Sequence, residues 1–232
     1  MRLKLLAGLL LTGGLLQPSP GALADTGQWL QSECGSCHAL EQPDYPALGH
    51  AERLTRKGPP LYYAGNKFHA GWLESWLQDP VRIRPAGVFP PGAVVPSEEG
   101  DLIDPANLEE HLVLDANQAK KAADYLMALR PHDELIAATS YEPGSVARRM
   151  GELNFTKFNG CDACHSDGPG YGGLSGPELY TAWQRLQPGF IASFIADPAA
   201  WDPHTLMPKT GLNDSAVERL ANYLKLIGEE AP

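Results

Sequence analysis

All four cysteines of the 232-residue chain stand in two frames of one form, Cys34-Gly-Ser-Cys37-His38 and Cys161-Asp-Ala-Cys164-His165. Two thiols at this spacing, followed at once by a histidine, make the attachment frame of a c-type haem. The thiols add to the two vinyl groups, and the histidine reaches the iron from one face. Competing uses of the cysteines explain less. Disulfides within two short C-x-x-C loops constrain little of such a chain and leave both histidines without a reason. A thioredoxin-like pair needs a βαβ setting that neither frame has, and four zinc thiolates would have to come from separate halves of the chain. The frames therefore predict two covalently bound haem c groups held by Cys34, Cys37, Cys161 and Cys164, with His38 and His165 as iron ligands.

A repeat fixes the organisation around them. Residues 58–91 align without a gap on residues 176–209, at an offset of 118, with identities at Gly58/Gly176, Pro59/Pro177, Leu61/Leu179, Tyr62/Tyr180, Gly71/Gly189, Asp79/Asp197, Pro80/Pro198 and Pro90/Pro208. Trp72, Leu73, Trp76 and Leu77 face Phe190, Ile191, Phe194 and Ile195, one apolar stripe of an amphipathic helix that an Asp-Pro pair ends in both copies. Each copy closes with a further helix. The predicted starts are an Asp115/Gln118 capping pair in the first and a Ser215/Glu218 capping box in the second. Helical periodicity dominates and no run alternates like a strand. The expectation is an all-α chain of two consecutive small helical domains, 25–132 and 143–232, joined by a linker over 133–142.

The first 24 residues carry the marks of an export signal: Arg2 and Lys4, the apolar run Leu5 to Leu16, and a small-residue cleavage site Ala22-Leu23-Ala24. The run is too short to span a bilayer, which takes about 20 apolar residues. Cleavage after Ala24 would place the protein in the periplasm with no membrane span. It would also move the net charge from -10 to -12, since the signal holds two basic residues and no acidic one. That sign argues against nucleic acid and anionic membranes as partners and in favour of redox proteins with basic docking surfaces.

In this order of motifs the chain resembles the tandem two-haem proteins built from class I cytochrome c domains, of the cytochrome c4 type. Each half has a short helix, C-x-x-C-H, Gly-Pro-x-Leu, an aromatic-rich helix and a closing helix with Tyr-Leu, so the resemblance covers nearly all of the chain beyond the signal. It implies one cytochrome c fold per half. It further implies that the prolyl carbonyls of Pro59 and Pro177 accept the ring N–H of His38 and His165, fixing tautomer and orientation. It places Met207, in Met207-Pro208, where the family supplies its methionine ligand. Pro203, Pro208 and Gly211 surround Met207 with irregular chain, whereas Met127 and Met150 read as ordinary packing. His204 on the same loop is the rival ligand.

The first half departs from this pattern. Phe89 faces Met207 in the ungapped register and cannot bind iron. From Phe89 to Tyr125 there are 36 residues against 16 from Met207 to Tyr223, so the first half holds 20 extra residues here. Counted back from the closing helix, His111 stands within two residues of the place that Met207 holds. His111 is the candidate ligand of the first iron, against the alternative of a solvated loop histidine after Glu109 and Glu110; His69 and His50 stand behind it. The carboxylates of the insertion, over about 90–110, read as a solvated face, with calcium binding as an alternative. Arg84 is the candidate donor to a haem propionate, against a plain surface arginine.

The function that follows is transfer of single electrons between redox partner proteins by a dihaem c-type cytochrome. One alternative is a haem enzyme whose first iron has an open or displaceable site for a small molecule such as peroxide or a sulfur oxyanion. Another is the haem subunit of a larger dehydrogenase or oxidase complex.

Overall fold

The structure, a computed structural model, describes residues 20–98 and 100–231. The export signal over 1–24 lies mostly outside the described residues, and the expected cleavage point after Ala24 falls within the first described helix. Half of the chain is helical and the strands are short, so the fold is all-α.

In the first half, α1 (Pro20–Cys34) delivers the first cysteine at its C-terminal end. It is followed by α2 (His50–Leu54), α3 (Ala64–Lys67), α4 (Ala70–Gln78) and, after the insertion, α5 (Ala116–Met127). Helix α5 starts where its sequence says it should. The Asp115 carboxylate accepts from the backbone N–H of Asn117 and Gln118, and the Gln118 side chain accepts from Asp115 N–H. Its buried face is nearly all alanine (Ala119, Ala122, Ala123, with Leu126), which lets α1 and α4 approach closely. Leu30, Phe68, Leu73, Leu77 and Leu114 complete this core.

The insertion between α4 and α5 holds a small antiparallel hairpin, β1 (Val94–Ser97) with β2 (Gly100–Ile103), in the register Val94 to Ile103. This corrects the expectation of no strand. The two segments are four residues each and pair only with one another, so no long alternation marks them. The expected linker is likewise not plain chain. It holds α6 (Asp133–Ala137), whose Leu135 and Ile136 pack into an apolar cluster described below.

The second half runs α7 (Arg148–Leu153), a small β3–β4 pair (Ser166–Gly168 with Tyr171–Gly172), α8 (Ala182–Arg185), α9 (Pro188–Ala196), α10 (Pro198–Trp201) and α11 (Asp214–Glu230). Helices α8 and α9 occupy the places of α3 and α4 at the repeat offset. The cap of α11 is Asn213, whose side chain accepts from Ala216 N–H. The expected Ser215 box is displaced because Ser215 lies inside the first turn, where its hydroxyl takes the Arg219 guanidinium.

The halves meet through equivalent residues. Phe68 and Leu186, 118 apart, form an antiparallel bridge; His69 N–H donates to Arg185 O and Gln187 N–H to Lys67 O, both at 2.9 Å. Each bond is the other's image under the repeat, so the contact has a local two-fold axis. A third core of Tyr45, Tyr62, Tyr63, Phe190 and Trp201 draws side chains from both halves, and Tyr62 donates to Trp201 O.

Two arms are exchanged across this contact. Residues 83–86 lie on the second half, with Glu178 N–H donating to Ile83 O and Ala86 N–H to Leu174 O. Residues 202–205 lie on the first half, where Arg56 grips Asp202 with two N–H groups and Arg53 donates to Thr205 O.

Candidate functional site

Both cysteine frames fold into a tight turn at a helix end, and none of the four thiols forms a disulfide. His38 N–H donates to Cys34 O and His165 N–H to Cys161 O, so the turn brings each histidine back over its own cysteine pair. Burial pushes the Cys34 thiol up and that of Cys161 up to about 11, which keeps both protonated.

The two imidazoles are held alike. His38 Nδ1 lies 2.8 Å from Pro59 O, and His165 Nδ1 lies 2.7 Å from Pro177 O. A carbonyl only accepts, so the proton sits on Nδ1 and Nε2 presents its lone pair. Burial lowers the pKa of both rings, which keeps them neutral and able to bind a metal.

Gly58 and Gly176, just before those prolines, are site residues that the sequence marked only as identities of the repeat. A Cβ on Gly58 would stand 2.4 Å from His38 Cε1, and one on Gly176 2.6 Å from His165 Cε1. The glycines leave the room in which the rings turn toward the prolyl carbonyls.

The nearest histidine ring to His38 that the structure records is His111, with ring centres 6.1 Å apart and planes at 59°. An imidazole nitrogen binds a metal at about 2 Å with its ring centre about 1 Å behind it, so two rings on opposite sides of one ion have centres about 6 Å apart. His111 Nδ1 donates to Leu112 O at 2.8 Å, which again leaves Nε2 free, and Trp76 meets the ring edge-on at 4.5 Å. The separation of His38 and His111 and the free Nε2 of each ring fit a pair of histidines that could hold a haem iron, with His111 on the exposed side.

The insertion delivers His111. Glu109 takes Lys57 through its carboxylate and Arg82 through its carbonyl, and Leu114 N–H donates to Leu77 O on the far side. His69 caps α4 and spends its backbone N–H on the other half. Phe89, which the register sets opposite Met207, only opens the turn into the insertion. His50 begins α2.

In the second half Met207 is half-buried on the irregular segment between α10 and α11, pinned at one end by Arg56 on Asp202 and at the other by Lys209 on Asp197. Its N–H donates to Thr205 Oγ1. The rival His204 turns to the first half and meets Tyr45 edge-on at 5.1 Å.

Arg84 is half-buried at the contact between the halves, together with Lys67, Arg56 and Arg185. Arg185 has Glu178 and Arg56 has Asp202, but among the described residues neither Lys67 nor Arg84 makes an ion pair. Lys67 lies instead over the rings of Phe68, Phe190 and Tyr63 at 4.9, 5.7 and 5.8 Å. Burial, with Arg84 and Arg185 beside it, pulls its pKa down to about 7. Burial, with Arg56 and Arg185, pulls that of Arg84 down to about 10.

Among the described residues no group of three or more His, Cys, Asp or Glu gathers to hold a metal ion, and no helix is long and apolar enough to cross a membrane. No family model, curated protein or solved structure matches the chain.

Proposed function

We propose that the chain is an exported dihaem c-type cytochrome that carries single electrons between redox proteins in the periplasm. One observation carries this reading. Two C-x-x-C-H frames each fold so that a neutral, half-buried histidine ties Nδ1 to a prolyl carbonyl and offers Nε2. Such an arrangement suits an iron ligand whose orientation is set from behind. Bound haem would supply reversible one-electron chemistry at iron, its potential set by axial ligands and burial.

The chain's own residues then have distinct tasks. Cys34 and Cys37, and Cys161 and Cys164, anchor the two groups. His38 and His111 would hold the first iron, and His165 with Met207 would hold the second. A histidine ring 6.1 Å from that of His38 favours the carrier over an enzyme with an open first iron. The acidic surface would steer basic partners, with association slowing as salt screens it beyond about 8–10 Å.

Acid-acetone extraction followed by intact mass tests the reading. Two haems retained on each exported chain is the expected result; haem passing into the organic phase, or a mass gain of one haem, overturns it.

A further inference from the structure

Each half must fix the short segment whose prolyl carbonyl holds its histidine, and the two halves do so differently. At the offset of 118, Pro60 stands where Glu178 stands. Glu178 N–H donates to Ile83 O at 2.9 Å, so the Gly176-Pro177 segment is tied through its main chain to the arm that crosses from the first half. Pro60 has no N–H, and the Gly58-Pro59 segment cannot repeat that bond. A side chain takes its place. Arg56, which stands where the second half has Leu174, donates from Nε to Gly58 O at 3.2 Å. Its two terminal nitrogens grip Asp202 on the arm that crosses from the second half. The Asp202 carboxylate also accepts from His204 N–H, and its own N–H donates to Pro198 O, so the anchor is itself held in place.

We propose that Asp202, although part of the second half, is a positioning residue for His38 of the first, acting through Arg56 on the main chain that carries the Pro59 carbonyl. This rests on the reading of the chain as a dihaem cytochrome. The carbonyl accepts from His38 Nδ1–H at 2.8 Å, and a Cβ at Gly58 would stand 2.5 Å from that nitrogen, so a small shift of the segment moves the bond and the ring together. Such a bond behind an iron-bound imidazole sets its orientation and basicity, two properties through which a protein tunes the metal. A planar guanidinium suits the task, because its fork meets a carboxylate in two places and keeps Nε–H for a third acceptor; an ammonium on a flexible stem does not. Asp202 also ends α10 and opens the irregular chain that leads to Met207. The clamp thus ties the loop proposed to serve the second iron to the bond that orients the ligand of the first.

The test is hydrogen exchange at the Nδ1–H groups of His38 and His165, read by nuclear magnetic resonance on the reduced, diamagnetic holoprotein once its haem content has been measured. Asp202→Asn should speed exchange at His38 by about tenfold or more, since Arg56 loses its anchor and bonds to charged groups are the stronger ones. Exchange at His165, whose segment is held through Glu178 N–H, should stay as in the wild type. Arg56→Lys should speed exchange at His38 as Asp202→Asn does, although it keeps the charge, because lysine cannot hold Asp202 and Gly58 O at once. Should Asp202→Asn not mature, Arg56→Lys carries the test. Two bound haems with His38 exchange unchanged in either variant overturn the inference and leave the cytochrome reading standing. Equal acceleration at both histidines, which a loss of overall stability would give, overturns it in the same way. A chain that binds no covalent haem overturns both.

Discussion

The chemistry of each proposed iron site depends on single residues whose main-chain neighbours decide what the side chain does. His38 and His165 are neutral and tied at Nδ1 because a prolyl carbonyl stands behind each ring and a glycine leaves the space for it. His111 earned its place in the sequence only by counting from the closing helix, and the structure puts its ring 6.1 Å from that of His38. If the ring ligates the first iron, His111→Ala should turn one of the two haems from low to high spin and open it to cyanide or carbon monoxide. Unchanged spectra with both irons low-spin would transfer the role to another residue, such as His69 or His50. The cysteines and histidines were legible in the sequence because each frame is local, whereas the prolines were reached only through the family resemblance. The task of Gly58 was not legible, because it depends on the distance to a ring 20 residues earlier. Nor was the destination of Arg84, since no side-chain pattern says that residues 83–86 cross to the other half.

At the level of elements, the helices that the repeat predicted are those that share a core. The stripe on α4 buries Leu73 and Leu77, and its counterpart on α9 buries Phe190 and Ile191. The hairpin in the insertion escaped the sequence because its strands are short and the first leaves Val95, Pro96 and Ser97 exposed. Caps show the same limit at finer grain. Asp115 was readable because Gln118, three residues on, completes its box, whereas Asn213 took α11 from Ser215 by capping two residues earlier. The Asp115 box begins four residues after His111, so it sets the register in which the loop meets the helix. Asp115→Ala leaves two backbone N–H groups without a side-chain acceptor and should cost about 1 kcal/mol in denaturant melts. Asp115→Asn should recover most of it; no loss in the alanine variant would mean that water caps the helix as well.

For the whole molecule, the decisive fact is that the halves share a core rather than touch at a surface. Trp201 is 0% exposed, and it lies among Tyr62 and Tyr63 from one half and Phe190 from the other. Two small helical units joined in this way should unfold together, because opening the contact exposes those aromatics on both sides at once. The charged part of the contact sharpens the expectation. The Asp202 side chain keeps 5% of its surface exposed and that of Arg56 23%, so the pair lies well inside the contact yet is reached by some water. Removing one member of a buried pair costs about 3–5 kcal/mol, chiefly because the other charge is left behind without a partner. The partial exposure of Arg56 places this case at the lower end, about 3 kcal/mol. Asp202→Asn should therefore lower the denaturation midpoint, and far-UV ellipticity and tryptophan fluorescence should still report one common transition. Replacing both members, as Arg56→Met with Asp202→Leu, should restore most of the lost stability, since it removes the stranded charge along with its partner. A loss in Asp202→Asn below about 1 kcal/mol would put the pair among ordinary surface ion pairs. Two separate transitions in the wild type would show that the aromatic cluster does not couple the halves.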